Sequence, residues 1–126
     1  MTARILLTHS PDTLANYYGP RALAGLKALG EVVVNSHDEP LQGESLIRAA
    51  ADCDLIVSYR QSPGPAVLFE RLPRLAAFLR CAIDIRNVDV AAASGAGVLV
   101  TQASAGFVTS VTELVIGFMK IGRAHV

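Results

Sequence analysis

Short, continuous apolar runs alternate with helix-length segments along almost the whole chain. Five of these runs have the length of strands buried on both faces, and they centre on residues 5–7, 32–34, 55–57, 77–79 and 98–100. Helical patterns fill the intervals, at residues 20–30, 44–53, 66–72 and 89–94. Strands joined by helices of this length require right-handed crossovers, which produce a parallel sheet. The chain is therefore expected to fold as an α/β domain.

The order of the strands sets the edge at which a ligand binds. Five such units favour a flavodoxin-like, doubly wound sheet of order 2-1-3-4-5, which we predict for residues 1–106. Ligands of these folds bind beyond the carboxyl ends of the strands. That rule selects the four loops at residues 9–12, 59–62, 82–87 and 101–106.

Composition limits the classes of partner. The 126 residues are 52% hydrophobic and 17% charged, which suits one folded domain and excludes a disordered chain. Eleven basic residues balance 11 acidic ones, so neither nucleic acid nor a membrane surface is an expected partner. Residues 4–8 already have core character, so we expect no signal peptide and a cytoplasmic location. Cys53 and Cys81 lie in apolar surroundings, which indicates buried, reduced thiols rather than a disulfide or a metal site.

The strongest local signal is the segment R-C-A-I-D-I-R-N-V-D at residues 80–89. Successive backbone N–H groups in a tight loop can bind an anion, and a helix that begins at residues 87–89 adds its dipole. The alternative for Asn87 and Asp89 is a simple helix cap, which we favour for Asp89. Arg60, after the third strand, could hold a carboxylate in bidentate fashion, or it could be an ordinary exposed loop arginine.

Residues 78–119 resemble the junction between the two domains of the D-isomer-specific 2-hydroxyacid dehydrogenases. In that family a pattern like R-x-G-x-G-x-D-N-[VI]-D occupies residues 80–89, and its backbone N–H groups receive the substrate carboxylate. The resemblance implies that Ala82, Ile83, Asp84 and Asn87 contact the substrate, with Arg60 at the edge of the cleft. Ala82 and Asp84 replace common glycines, so the Asp84 carboxylate would repel an anionic substrate unless it points away.

The resemblance also implies what the full-length protein does. It would use NAD or NADP to transfer a hydride to or from C2 of a small 2-hydroxy or 2-oxo acid, as a homodimer. The family's catalytic arginine, glutamate and histidine would lie beyond Lys120, and the chain contains no G-x-G-x-x-G. We therefore expect an amino-terminal fragment that binds no cofactor and is inactive by itself.

The last 20 residues are expected to form two further segments. Residues 107–120 would begin an interdomain helix, because Ser110 and Glu113 fit a capping box and an apolar stripe follows. Residues 121–126 spell I-G-R-A-H-V, which a widely used sequencing adapter also encodes in one frame. We interpret them as a non-native tail, so that His125 carries no function.

The sequence can be compared with two other kinds of protein. The first is a stand-alone flavodoxin-like binding or interaction module without catalysis, which the sequence leaves open. A signalling receiver is disfavoured, because its acidic positions after strands one and three are occupied by His9-Ser10 and Ser58-Tyr59. His9 is expected to be a loop hydrogen-bonder rather than a catalyst, and His37 to lie in a turn.

Overall fold

Every strand of the central sheet runs parallel to its neighbours. The computed structural model describes residues 2–104 together with Glu113 and Ile116. The strands are β1 Ala3–Leu7, β2 Gly30–Val33, β3 Leu55–Ser58, β4 Ala77–Arg80 and β5 Leu99–Thr101. The helices are α1 Pro11–Tyr17, α2 Pro20–Leu29, α3 Gly43–Ala50, α4 Ala66–Arg71 and α5 Val90–Gly95. The sheet order is β2-β1-β3-β4-β5, which confirms the predicted flavodoxin-like fold.

Alternate residues of each strand point to opposite sides of the sheet, and the central strands β1 and β3 are packed on both sides. Leu6, Ile56 and Phe78 belong to the larger core, which the apolar sides of α3, α4 and α5 complete. Ile5, Leu7 and Val57 face the other side, and there they pack against partly buried apolar side chains from α1 and α2, namely Leu14, Leu23 and Leu26. The predicted inward face of α3 is confirmed, since Leu46, Ile47 and Ala50 are buried.

Helix α1 was missed by the sequence prediction, which assigned residues 9–12 to a loop. Its start is nevertheless encoded locally. The Ser10 hydroxyl accepts a hydrogen bond from the backbone N–H of Thr13 at 3.3 Å, and Pro11 occupies the first helical position. Helix α3 ends at Ala50 rather than at the predicted Cys53. Cys53 is fully buried and reduced, as predicted.

Gly30 connects α2 to β2 with extended backbone rather than with a left-handed cap. It pairs with Ala3 as the first residue of its strand. A Cβ atom at Gly30 would lie only 2.5 Å from the carbonyl oxygen of Ala3, so the close approach of β1 and β2 requires glycine here.

The predicted junction and tail lie almost entirely outside the described residues. Glu113 is helical and exposed, as is Ile116, but Ser110, the apolar stripe and residues 121–126 with His125 are not described. The boundary at residue 106 therefore stays a prediction. Within the described part, no helix has the length and apolar character needed to cross a membrane.

Candidate functional site

All five residues predicted to bind substrate line one depression at the carboxyl-terminal edge of the sheet. The depression has a volume of about 750 Å³ and lies between the loops that follow β3 and β4. Its lining comprises Arg60, Gln61, Arg80, Ala82, Ile83, Asp84, Arg86 and Asn87. The edge is the one at which doubly wound folds bind ligands.

Arg80, the last residue of β4, is buried beneath this depression and is only 4% exposed. Its Nη1 donates to the carbonyl oxygens of Arg60 at 2.9 Å and Asp84 at 3.3 Å, while Nη2 donates to the carbonyl of Ser62 at 2.8 Å. Burial lowers the pKa of Arg80 from its ordinary value, although the nearby Asp84 and Cys81 oppose that shift. Among the described residues no carboxylate forms an ion pair with it. The guanidinium thus places a positive charge without an ion-pair partner among the described residues under the loop. Sequence reasoning quoted Arg80 in the motif but assigned it no role.

Three successive carbonyl groups of the loop after β4 are held by hydrogen bonds. The carbonyl of Ala82 accepts from the Ala103 N–H at 3.0 Å, and that of Ile83 accepts from Gln102 Nε2 at 3.1 Å. The Asp84 carbonyl accepts from Arg80. In a trans peptide the C=O and N–H point in opposite directions, and the described backbone contains no cis bond.

Three consecutive N–H groups therefore point away from these anchors. They belong to Ile83, Asp84 and Ile85, and none has a protein acceptor within residues 2–104. Adjacent backbone donors over a buried cation form a favourable environment for a carboxylate.

Asp84 is turned onto its neighbour Arg86. Arg86 Nε donates to Oδ1 at 3.0 Å, Nη2 donates to Oδ2 at 2.8 Å, and the backbone N–H of Arg86 also donates to Oδ1 at 2.9 Å. These contacts lower the pKa of Asp84 to about 2. The negative charge that the sequence placed beside the anion loop is thus paired locally.

Asn87 joins the two loops that border the depression. Its Nδ2 donates to the carbonyl of Arg60 at 3.1 Å, and its own carbonyl accepts from the Gly64 N–H at 3.0 Å. Asp89 caps α5, as predicted, by accepting from the backbone N–H of Ala92 at 2.9 Å. The helix itself begins at Val90, three residues beyond Asn87.

A second cavity of about 440 Å³ adjoins the first and shares Arg60, Ala82 and Ile83 with it. We call it the aromatic cavity, because its other lining residues are His9, Tyr17, Tyr18, Tyr59 and Cys81. The prediction of a buried Cys81 was wrong: the thiol is exposed, and its Sγ lies 3.2 Å from the Tyr18 hydroxyl. A residue directly after a strand sits at the sheet edge, so its apolar sequence neighbours do not cover it.

His9 is the inner wall of the aromatic cavity and is 2% exposed. Its ring centroid lies 5.0 Å from that of Tyr18 and 5.2 Å from that of Tyr59. Burial lowers its pKa to about 4, so the imidazole is neutral at pH 7. Its buried Nδ1 has no hydrogen-bond partner among residues 2–104, contrary to the expected role of a loop hydrogen-bonder.

The described residues contain no group of three or more His, Cys, Asp or Glu side chains that could hold a metal ion. A family model described as D-isomer specific 2-hydroxyacid dehydrogenase, catalytic domain, matches residues 5–117. The chain belongs to the D-isomer specific 2-hydroxyacid dehydrogenase family. This confirms the resemblance carried by residues 78–119 and makes the protein part of an oxidoreductase family.

Solved structures with the same fold include several dehydrogenases. The PH0520 protein of Pyrococcus horikoshii OT3 matches with a TM-score of 0.73 and 19% identity, over 93% of this chain and 32% of that one. The NAD⁺-bound 3-phosphoglycerate dehydrogenase of Entamoeba histolytica matches with a TM-score of 0.70 and 19% identity, over 94% of this chain and 38% of that one. The D-lactate dehydrogenase of Escherichia coli matches with a TM-score of 0.61 and 19% identity, over 97% of this chain and 39% of that one. The chain thus spans less than two-fifths of the length of these three proteins. The curated proteins offer no match to it.

Proposed function

We propose that this domain forms one wall of the substrate cleft of an NAD(P)-dependent D-2-hydroxyacid dehydrogenase. The full-length enzyme would exchange a hydride between its nicotinamide cofactor and C2 of a small 2-hydroxy or 2-oxo acid. Membership of the family supports the reaction class. The observation that carries the substrate site is the row of three N–H groups above the buried Arg80.

In this proposal the substrate carboxylate lies against the backbone between Ala82 and Ile85. The N–H groups of Ile83, Asp84 and Ile85 donate to its oxygens, and the exposed Arg60 contacts it from the other side of the depression. Asn87 acts as a positioning residue, because it holds the Arg60 carbonyl in place. Binding of this kind orients C2 toward the opposite wall of the cleft.

The cofactor itself does not fit this chain. A dinucleotide site needs a glycine-rich turn between a strand and a helix N-terminus. The turn between β1 and α1 instead contains the buried side chains of Thr8, His9 and Ser10, and Ser10 already caps the helix. We propose that NAD or NADP and the catalytic residues come from a separate dinucleotide-binding domain, which residues 107–120 would join to residues 1–106.

The rest of the proposal concerns the assembled protein. We propose a cytoplasmic homodimer that binds a small 2-hydroxy or 2-oxo acid and interacts with neither nucleic acid nor a membrane. Residues 121–126 are proposed to be non-native.

Titration of the ¹⁵N-labelled chain with D-lactate, followed by NMR, tests the substrate site. We expect saturable shifts at the backbone amides of residues 82–85. Acetone, which has no carboxylate, should leave these amides unchanged, and NADH should produce no saturable shift. Absence of any D-lactate shift in this loop would contradict the proposal and favour the stand-alone binding or interaction module.

The same titration of Arg80→Lys is a matched control for the buried charge. Lysine keeps the positive charge but cannot hold three carbonyls in the planar geometry of the guanidinium. We expect weaker D-lactate binding in a chain that still folds, which its amide spectrum would show directly.

A further inference from the structure

The aromatic cavity is bounded by rings and carries almost no charge. His9 is neutral at pH 7, and burial followed by the contact with Cys81 raises the pKa of Tyr18, so its hydroxyl stays protonated. Within the described part of the chain no carboxylate lines the cavity, and Arg60, which also borders the neighbouring depression, is its one cationic lining residue. A charged substituent would therefore find no opposite charge at the inner end of the cavity.

The rings contact one another and together form a continuous aromatic wall of the cavity. His9 meets Tyr18 edge to face, with an angle of 84° between the ring planes. Tyr17 and Tyr59 are tilted by 35° with centroids 6.3 Å apart, so they continue the wall toward solvent. Aromatic side chains favour such edge-to-face and offset neighbours. The volume of about 440 Å³ is that of a small-molecule site.

The position of the cavity relates it to the proposed carboxylate loop. Ala82 and Ile83 line both spaces, so a molecule held by the loop N–H groups has the aromatic cavity directly beside it. In a 2-hydroxy acid C1 is the carboxylate carbon, and the variable side chain begins at C3. The two groups therefore leave C2 in different directions. Carboxylate binding on one side of Ala82 thus directs the substituent to the other.

We propose that the substrate is a 2-hydroxy or 2-oxo acid that carries an uncharged aromatic ring on C3, and that this ring binds in the aromatic cavity. The inference rests on the proposed function, because the carboxylate loop is what places the ring. It adds a substrate class that family membership alone does not specify.

Cys81 provides a direct probe of occupancy. The chain has two cysteines, of which Cys53 is fully buried and Cys81 is exposed in the cavity wall. Alkylation by iodoacetamide, measured by mass spectrometry, therefore reports access to the cavity. D-3-phenyllactate and D-lactate differ only by the ring. We expect D-3-phenyllactate to protect Cys81, whereas D-lactate, which has no ring, should not. By the NMR shifts at residues 82–85, D-3-phenyllactate should bind with a dissociation constant at least about tenfold lower than that of D-lactate.

Two variants separate the cavity from general effects on folding. Tyr17 is 67% exposed, so Tyr17→Ser removes one wall without disturbing the core. This variant should bind D-3-phenyllactate about threefold or more weakly and bind D-lactate as tightly as the parent chain does. Leu29 lies on α2 outside the cavity and is 77% exposed, so Leu29→Ser is the control variant. It should bind both acids with unchanged affinity.

The outcomes distinguish the two proposals. Equal binding of both acids, with NMR shifts at residues 82–85, would overturn the aromatic-substrate inference and leave the proposed function intact. No shift of these amides by either acid would overturn both. Tighter binding of D-3-phenyllactate that Tyr17→Ser does not weaken would place the ring elsewhere and also overturn the inference.

Discussion

Replacement of Arg80 by methionine removes the guanidinium from beneath the carboxylate loop while it retains an unbranched side chain. The three carbonyls of Arg60, Ser62 and Asp84 each lose a charged donor. Arg60 and Ser62 keep a second donor, from Asn87 Nδ2 and from the Ser58 hydroxyl. Relief from burying a charge offsets part of the loss.

Three hydrogen bonds from a charged donor contribute about 1.5–3 kcal/mol each, and after the offset we expect a net loss of about 3 kcal/mol in the free energy of unfolding. That corresponds to a fall in Tm of about 10 °C for a chain of this size. Urea unfolding followed by circular dichroism measures the change. Under conditions in which the Arg80→Met variant is folded, D-lactate should no longer shift the NMR signals of the amides of residues 82–85, because the loop is no longer anchored.

The matched control is Arg74→Met. Arg74 donates to the Asp54 carboxylate, but its side chain is 52% exposed, so solvent already screens the pair. It should lose much less stability than Arg80→Met. Equal losses in the two variants would refute the idea that Arg80 is a structural anchor of the loop.

Three further predictions concern other positions. Gly30→Ala should destabilise the fold by about 1–3 kcal/mol, measured by urea unfolding, because the new Cβ would meet the Ala3 carbonyl at 2.5 Å. His9 has a folded pKa of about 4 against 6.5 when unfolded, so the unfolded chain binds more protons between these values and stability falls as the pH drops through them. In the His9→Phe variant this dependence of the free energy of unfolding on pH should vanish. Urea unfolding at several pH values between about 4 and 6.5 measures it. Asp84→Gly and Asp84→Asn should keep or strengthen D-lactate binding in NMR titrations, since the carboxylate is paired with Arg86. A loss of about tenfold in both would mean that the Asp84 carboxylate itself contacts the substrate.

The apolar runs alone were sufficient to predict the sheet. Leu6, Ile56 and Phe78 lie in runs too short for helices and too apolar for exposed strands, so burial between two helical layers was the consistent solution. The order of the strands was the one typical of flavodoxin-like sheets built from five such units. The cap at Asp89 was equally local, because an N-cap depends on residues within one helical turn. The start of α1 is encoded by a local signal of the same kind, at Ser10 and Pro11.

The chemistry of the site depended on residues that are distant in sequence. Arg80 meets the carbonyl of Arg60 because β3 and β4 are paired, and nothing in the segment around Arg80 records that pairing. The aromatic cavity brings together His9 after β1, Tyr18 after α1 and Cys81 after β4. Sequence patterns report the periodicity of one element at a time, and they therefore predict which side of a strand is buried. Only the packing of several elements decides which polar groups meet at the end of a sheet, and whether Cys81 faces a core or a cavity.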